Sequence, residues 1–309
     1  MRKYHSSKPA RGVVARARKW RRLSGAMLLC LFVATTAVAA EPARMVTVGG
    51  TVTEIVFALG GGDQIVGVDT SSVYPTAAAG LPQVGYQRNL SAEGVLSLSP
   101  TRVLLTKDAG PPAAVVQLRA AGVDVVDVPH QPSLDGARES IRAIAKLLGK
   151  EERGEELVHA LDADVESARG DLARIKTKPK VLFVYARGAN MAMVSGTGTA
   201  ADEIIRLSGG QNAVTEHDGF RPLTSEGAVA AAPDVLLVPT RGLESLGGTA
   251  ALLAMPGVSM TPAASGQRVV AMDDLYLLGF GPRTGKAMSD LAQALHPELR
   301  AESRQNVAE

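Results

Sequence analysis

The chain has 309 residues, with 33 Lys or Arg against 31 Asp or Glu and a formal net charge of +2. Nine of the basic residues and none of the acidic ones fall within residues 1–40. Without that segment, 24 basic residues remain against 31 acidic ones, a net charge of −7. The basic balance belongs to the first 40 residues, so a nucleic-acid partner is not predicted.

Residues 1–40 have the pattern of a secretory signal peptide. A basic front precedes the apolar stretch Ala26–Ala34, and the small-residue run Ala37–Ala40 follows. The apolar stretch is much shorter than the about 20 residues that a membrane-spanning helix needs. Cleavage removes Cys30 and Trp20, so the mature protein is predicted to contain no disulfide.

Two other interpretations of this segment are weaker. Cys30 could be a lipidation site, but such a site needs a small residue before the cysteine, and Leu29 occupies that position. Arg21 and Arg22 as a twin-arginine signal lie in a poorly matching context, WRRLSG. Export by the ordinary route is predicted.

The first part of the mature chain alternates short β-branched runs with helical patterns. The predicted strands are MVTV (Met45–Val48), IVGV (Ile65–Val68), VLL (Val103–Leu105) and VDVVDV (Val123–Val128). The predicted helices are Thr53–Leu59, Ser91–Leu98 with Ser91 as its N-cap, and Pro112–Ala121. Such alternation is typical of a parallel sheet with helices on both faces.

A long amphipathic helix is predicted over residues 151–176. Apolar residues recur at the 3-or-4 spacing of one helix face, at Leu157, Leu161, Val165, Ala168, Leu172 and Ile175. This helix separates an N-terminal lobe at residues 41–150 from a C-terminal lobe at residues 177–309. A packed helix, unlike a flexible linker, holds two lobes in a nearly fixed relation. The strand pattern then resumes at Val181–Tyr185, Val235–Val238 and Arg268–Met272.

The two lobes share an internal repeat. LSAEGVLSLSPTRVLL (Leu90–Leu105) recurs as LTSEGAVAAAPDVLLV (Leu223–Val238), and Gly49–Val68 resembles Ser195–Val214, with Glu54 facing Glu203. The predicted fold is therefore α/β, with two Rossmann-like lobes, central parallel sheets and one connector helix. Ligands usually bind in the cleft between two such lobes.

Four segments carry a resemblance to a known family: VTVGGTVTEIVFALG, DTSSVYP, LPQVGYQRNLSAEGVLSL and LLGFGPRTG. With the duplication and the connector helix, they resemble the class III periplasmic binding proteins of ABC importers, and within that group the haem-binding proteins. The resemblance covers essentially all of the mature chain. It implies a periplasmic monomer that binds haem b (hemin) and delivers it to an inner-membrane ABC permease with its ATPase. An outer-membrane haem receptor would supply the haem.

Tyr86, in the VGYQR segment, is the predicted ligand of the haem iron. Ferric iron is a hard acid, and phenolate is a hard anionic ligand of the kind catalase uses. Arg88 lies two residues on, and in an extended segment both side chains would point the same way. Its guanidinium would then favour the phenolate. The resemblance implies the same two roles; from the residues alone, a Tyr stacked at a lobe edge stays the alternative.

The remaining pocket candidates come from both lobes. Tyr74 in SSVYP is interpreted as pocket wall or loop packing, and Tyr185 as a distal contact in place of a histidine. Arg187 and Arg221 suit the haem propionates, since arginine matches a carboxylate fork. His217 is a weaker ligand candidate because a lone histidine is usually a surface or hydrogen-bonding residue. Met193 and Phe220 complete the predicted pocket.

Glu93 and Glu226 occupy matched positions in the repeat. Each starts a predicted helix, where an acid interacts favourably with the helix dipole, and that explanation suffices for either alone. Their pairing and the family resemblance imply one anchor per lobe for arginines of the permease. Salt should weaken such a contact.

Other functions stay open at this stage. The same fold could carry a ferric siderophore or a corrinoid, and a duplicated α/β enzyme or a metal-binding adaptor is the alternative of a different class. An enzyme is not predicted, because the sequence has no Gly-x-Ser-x-Gly elbow, no His-Glu-x-x-His and no Walker phosphate loop.

Overall fold

Four parallel strands form the sheet of the N-terminal lobe, in the spatial order β2 (Ile65–Val68), β1 (Met45–Val48), β5 (Arg102–Thr106) and β6 (Asp124–Val128). The structure is a computed structural model and describes residues 43–188 and 191–299; the predicted signal peptide at residues 1–40 lies outside them. The inner strand Met45–Val48 is completely buried because helices cover both faces of the sheet. The strands of this lobe are β1 (Met45–Val48), β2 (Ile65–Val68), β3 (Gly85–Tyr86), β4 (Asn89–Leu90), β5 (Arg102–Thr106) and β6 (Asp124–Val128).

Helices of the N-terminal lobe follow the strands as the alternating pattern predicts. Ser91 is the N-cap of the third helix, as predicted, and its hydroxyl accepts from the Gly94 N–H at 3.1 Å. The helices are α1 (Gly50–Ala58), α2 (Thr76–Ala79), α3 (Ala92–Leu96), α4 (Pro112–Ala120) and α5 (Leu134–Leu148). A 3₁₀ turn at Gly62–Gln64 links α1 to β2.

The C-terminal lobe contains a mixed sheet. Its strands are β7 (Lys180–Ala186), β8 (Ala192–Ser195), β9 (Gln211–Asn212), β10 (Phe220–Pro222), β11 (Val235–Pro239) and β12 (Val269–Met272). The strands β7, β11 and β12 are parallel, as predicted, and β9, which was not predicted, pairs in parallel with β7. β8 returns directly from β7 and is therefore antiparallel to it, and β10 is antiparallel to β8. These two strands extend the predicted parallel sheet.

Seven helices are described in the C-terminal lobe. They are α7 (Ala200–Leu207), α8 (Ser225–Ala231), α9 (Thr240–Leu246), α10 (Thr249–Leu253), α11 (Pro262–Ser265), α12 (Asp274–Leu278) and α13 (Thr284–Leu295). A 3₁₀ turn spans Val258–Met260. Among the described residues of the whole chain, no helix combines the length and apolarity needed to cross a membrane.

The connector helix α6 spans Glu151–Leu172, about 33 Å at 1.5 Å per residue. It packs against α5 in one lobe and α13 in the other. Glycines permit both approaches: a Cβ on Gly154 would lie 2.5 Å from the Ala145 Cβ, and one on Gly285 would lie 2.5 Å from the Asp164 Cβ. Among the described residues, one hydrophobic core runs through both lobes and α6, and each lobe has a further core of its own. The helix thus joins the lobes by close packing.

The apolar period overestimates the length of α6 by about one turn. Ile175 continues the period but lies beyond the helix, because it packs with Leu172 against Gly209 of the C-terminal lobe. The apolar spacing continues to Ile175 because Leu172 and Ile175 pack against the same site, although the helix has already ended.

The sequence repeat corresponds to a repeat in three dimensions. Thr224 caps α8 through the Gly227 N–H at 3.0 Å, as Ser91 caps α3. After α1 and α7, Gly60 and Gly209 adopt left-handed φ values of 71° and 79°. The next amide in each copy donates to a carbonyl five residues back. Both helices therefore end in the same glycine-dependent way.

These equivalent glycines predict unequal responses to substitution. A Cβ on Gly60 would meet the flexible Lys150 Nζ at 3.5 Å, whereas one on Gly209 would meet Leu172 and Ile175 at 2.7 Å. We expect Gly60→Ala to lower the free energy of unfolding by about 1 kcal/mol, the cost of the left-handed backbone. Gly209→Ala should cost about 1–3 kcal/mol more through overpacking. Urea unfolding of the two variants measures this, and equal losses would contradict it.

Candidate functional site

A cavity of about 470 Å³ lies between the lobes, where the parallel strands of both sheets end. Thr70, Ser71 and Tyr86 line it from the N-terminal lobe. The C-terminal lobe contributes the end of β7 with the residues just after it, the start of α9, and Asp274. The predicted cleft between lobes is thus present, with polar and aromatic groups converging on it.

Tyr86 reaches the cavity from a short hairpin formed by β3 and β4. Gly85 precedes it at a φ of 99°, a conformation that favours glycine. The Gly85 carbonyl accepts from the Thr70 N–H at 2.9 Å, and the Gly110 N–H donates to the Gln87 carbonyl at 2.8 Å. The hairpin is therefore tied to the loops after β2 and β5, and its tyrosine is held at the cleft edge.

Asp69, at the end of β2, organises the loop that supports this hairpin. It is completely buried, and its carboxylate accepts from the backbone N–H groups of Gly49 and Ser71 at 2.8 and 2.9 Å. The hydroxyls of Ser71 and Ser72 also donate to it, at 2.6 and 2.8 Å. Four donors satisfy the buried anion, so its desolvation is compensated. The sequence reasoning missed this residue, although it opens the DTSSVYP segment.

Arg187 lies between two phenol rings that come from different lobes. Its guanidinium carbon is 5.5 Å from the ring centroids of both Tyr86 and Tyr185, and its Nε donates to the Tyr185 Oη at 3.0 Å. The pKa of Arg187 is raised, first by the hydrogen bond to Tyr185 and further by Tyr86. This one guanidinium therefore contacts a phenol from each lobe at the cavity.

The expected pairing of Tyr86 with Arg88 is wrong in its geometry. Residues 86–88 are not extended, because Gln87 and Arg88 form the two-residue turn between β3 and β4. Arg88 is exposed in that turn. The arginine at the Tyr86 ring is instead Arg187 from the opposite lobe.

Two of the C-terminal candidates share a sheet face with Tyr185. Met193 is its cross-strand partner in β8, and the Phe220 ring packs 6.2 Å from the Tyr185 ring. Arg221 does not join them: it pairs with Val194, and alternation along β10 directs it to the opposite face from Phe220. The predicted propionate role of Arg221 therefore lacks the required placement.

His217 lies away from the cavity. β8 runs antiparallel to β7, with Ala192 opposite Ala186 at the cleft end, so the residues after β8 lie at the far end of the sheet. There the His217 carbonyl accepts from the Thr197 N–H at 2.9 Å. The structure thus does not bring this histidine to Tyr86.

Tyr74 belongs to a contact between the lobes. The Arg283 guanidinium stacks 3.6 Å from the centre of the Tyr74 ring and forms two 2.8 Å hydrogen bonds with the Glu54 carboxylate. Glu54 lies in α1 of the N-terminal lobe and is 6% exposed, whereas Arg283 precedes α13. Nearby, the Thr51 hydroxyl donates to the Gly279 carbonyl at 2.6 Å. The GFGPRTG segment (Gly279–Gly285) thus connects the two lobes.

Glu93 and Glu226 occupy the second residue of α3 and of α8, respectively, and both are exposed. Neither side chain takes part in the capping, which the Ser91 and Thr224 hydroxyls perform. Each carboxylate is therefore available at the surface of its own lobe, in an equivalent position.

Comparison with known proteins agrees with this architecture of two α/β lobes on one packed helix with a cleft between them. A profile of the periplasmic binding protein family matches residues 45–276. The chain belongs to the periplasmic binding protein family.

The similar proteins include two solved haem-binding structures. The periplasmic heme-binding protein RhuT from Roseiflexus sp. RS-1 is 47% identical, with a TM-score of 0.81 over 83% of this chain and 99% of that chain. The periplasmic heme-binding protein BhuT, solved in complex with two hemes, is 43% identical, with a TM-score of 0.79 over 83% and 99%. A vitamin B12-binding protein of Yersinia pestis (strain Pestoides F) is 27% identical over 70% of this chain and 75% of that protein. The predicted fold class and the resemblance to class III haem-binding proteins are confirmed.

Proposed function

We propose that this protein captures haem in the cleft between its lobes and delivers it to an ABC permease. The observation that carries the proposal is the pair of phenols, Tyr86 and Tyr185, that share the Arg187 guanidinium. Phenolate oxygen suits ferric iron, and the cation stabilises its negative charge. The solved relatives at 43% and 47% identity are haem-binding proteins, which supports the same cargo.

Tyr86 is the proposed iron ligand and Arg187 its supporting cation. Tyr185 lines the cavity on the C-terminal lobe, with Met193 as its cross-strand partner and the Phe220 ring packed against it. Tyr74 shapes the cleft indirectly, through its stacking with Arg283 at the lobe junction.

Spectroscopic titration of the mature protein with hemin tests this function. We expect a saturable complex with a high-spin ferric, tyrosinate-type absorption spectrum. Cyanocobalamin and a ferric siderophore serve as competitors for the alternative cargoes, and neither should displace hemin. Saturable binding of cyanocobalamin without binding of hemin would assign the corrinoid function instead. Turnover of a small substrate without hemin would support an enzyme.

Delivery requires a route and a partner. We propose that residues 1–40 are removed during export and that the monomeric mature protein works in the periplasm. It would receive haem supplied through an outer-membrane receptor and dock on an inner-membrane permease with its ATPase. Membership of the periplasmic binding protein family supports the permease partner. N-terminal sequencing of the exported protein tests the cleavage.

Glu93 and Glu226 are the proposed permease anchors, one on each lobe. We expect Glu93→Ala with Glu226→Ala to leave hemin affinity unchanged, because both carboxylates are exposed and lie outside the cavity. The same double variant should reduce stimulation of the permease ATPase several-fold, since charge complementarity guides docking. ATPase assays of the reconstituted transporter measure the effect.

A matched double variant controls for the loss of two surface acids. Glu151 and Glu152 are exposed in the first turn of α6, so Glu151→Ala with Glu152→Ala removes equal charge from a similar helical position. This control should stimulate the ATPase as wild type does. Equal loss in both double variants would contradict specific docking by Glu93 and Glu226.

A further inference from the structure

Arg241 is a cationic group of the cleft that the repeat and the family segments did not reveal. It is the second residue of α9 and lines the cavity together with Arg187. The parallel pairing of β7 with β11 matches Val181 with Val235 and Phe183 with Leu237. Arg187 directly follows the end of β7, and Arg241 follows the end of the neighbouring parallel strand β11 by two residues, so both lie beyond the same edge of the sheet.

Direct packing holds the start of α9 at this position. Gly242 lies against the end of β7, where an added Cβ would be 3.3 Å from the Ala186 carbonyl oxygen. The Gly188 N–H donates to the Ser245 hydroxyl at 2.9 Å, so α9 is also tied to the turn that follows Arg187. Arg241 is therefore presented on an anchored backbone.

Arg187 and Arg241 differ in whether their guanidinium groups already form hydrogen bonds within the protein. Arg187 donates its Nε to Tyr185 and lies over the Tyr86 ring. Within residues 43–188 and 191–299, Arg241 has no ion pair and no side-chain hydrogen bond; the residue is exposed and lines the cavity. Asp274 is the acidic side chain among the described lining residues, and one of its oxygens accepts from the Leu275 N–H at 3.1 Å.

We propose that Arg241 is the carboxylate-binding residue of this cleft, so that a ligand's acidic side chains point toward the start of α9. A guanidinium binds a carboxylate through two parallel hydrogen bonds, which adds both affinity and orientation. Arg187 then serves the iron-bound phenol, and Arg241 serves the propionates. The assignment rests on the proposed haem function and names a specificity contact within it.

Titration with hemin and with hemin dimethyl ester tests the proposal, because esterification removes the propionate charges and keeps the porphyrin and iron. Arg241→Gln should weaken hemin binding about 10-fold or more, as expected for losing a hydrogen-bonded charge pair. The affinity of the dimethyl ester should be the same for Arg241→Gln and wild type. The tyrosinate-type spectrum should persist in both complexes.

Arg221→Ala is the matched comparison, since this exposed arginine lies in the same lobe but on the opposite face of β10 from Phe220. It should bind hemin as wild type does. Equal weakening of hemin and ester by Arg241→Gln would overturn the proposal, as would unchanged hemin affinity or a loss confined to Arg221→Ala. A wild-type protein that does not bind hemin would instead refute the haem function itself.

Discussion

Replacing Tyr86 with Phe is expected to lower hemin affinity more than about 100-fold and to abolish the tyrosinate-type spectrum. The substitution removes only the phenol oxygen and keeps the ring beneath Arg187. Loss of residues that merely support a metal ligand commonly costs 10- to 100-fold, so loss of the ligand itself should exceed that range. Absorption titration with hemin measures both the affinity and the spectrum.

Tyr185→Phe is the matched variant, because both phenols neighbour the same guanidinium. It removes the acceptor of the 3.0 Å hydrogen bond from Arg187. We expect a smaller loss of affinity and a retained tyrosinate-type spectrum, since Arg187 can still serve Tyr86. The opposite result, with the spectrum lost in Tyr185→Phe and kept in Tyr86→Phe, would transfer the ligand role to the C-terminal lobe.

Arg283→Met is expected to cause the second large effect, on stability. It leaves the Glu54 carboxylate, which is 6% exposed, without its cation. Breaking a buried pair from one side costs about 3–5 kcal/mol, and the partial exposure of Arg283 favours the lower end. At about 2–4 °C per kcal/mol, a loss near 3 kcal/mol corresponds to a fall of about 6–12 °C in Tm. Thermal unfolding followed by circular dichroism measures it.

The internal repeat supplies a control for this prediction. Glu203 occupies the position of Glu54 in the second copy and bonds Arg206 through two hydrogen bonds, but Arg206 is 67% exposed. Arg206→Met should therefore cost less than about 1 kcal/mol, as is usual for surface pairs. The double variant Glu54→Gln with Arg283→Met should recover part of the lost stability. Equal Tm changes for Arg283→Met and Arg206→Met would show that burial of Glu54 is unimportant.

Local features of the fold were predictable because they depend on neighbouring residues. Strand β1 has the predicted bounds, and Ser91 caps α3 as its place before Glu-Gly indicates. The helical period identified α6. The predicted helix was too long because Ile175 continues the apolar period, although it lies beyond the helix and packs near Gly209. Capping, strand pattern and helix period are all encoded within about one helical turn or strand length.

The candidate site was predictable only in part. The VGYQR segment identified Tyr86, but the supporting cation was expected two residues away at Arg88, whereas Arg187 comes from the other lobe. His217 is a weaker ligand candidate from the sequence, and the antiparallel course of β8 places it at the far end of the sheet from the cavity. For Arg241, the usable sequence signal was its position two residues after the end of the strand VLLVP (Val235–Pro239).

By itself, the sequence determined the duplicated α/β plan, the connector helix, the matched caps and the tyrosine offered to the cleft. Each of these follows from residue spacing or from a short motif. The tertiary structure alone decided which arginine contacts that tyrosine, that Glu54 binds Arg283 across 229 residues of chain, and that Arg241 lines the cavity. These contacts join separate lobes or strands, and their geometry depends on how α6 and the strand register bring distant segments together.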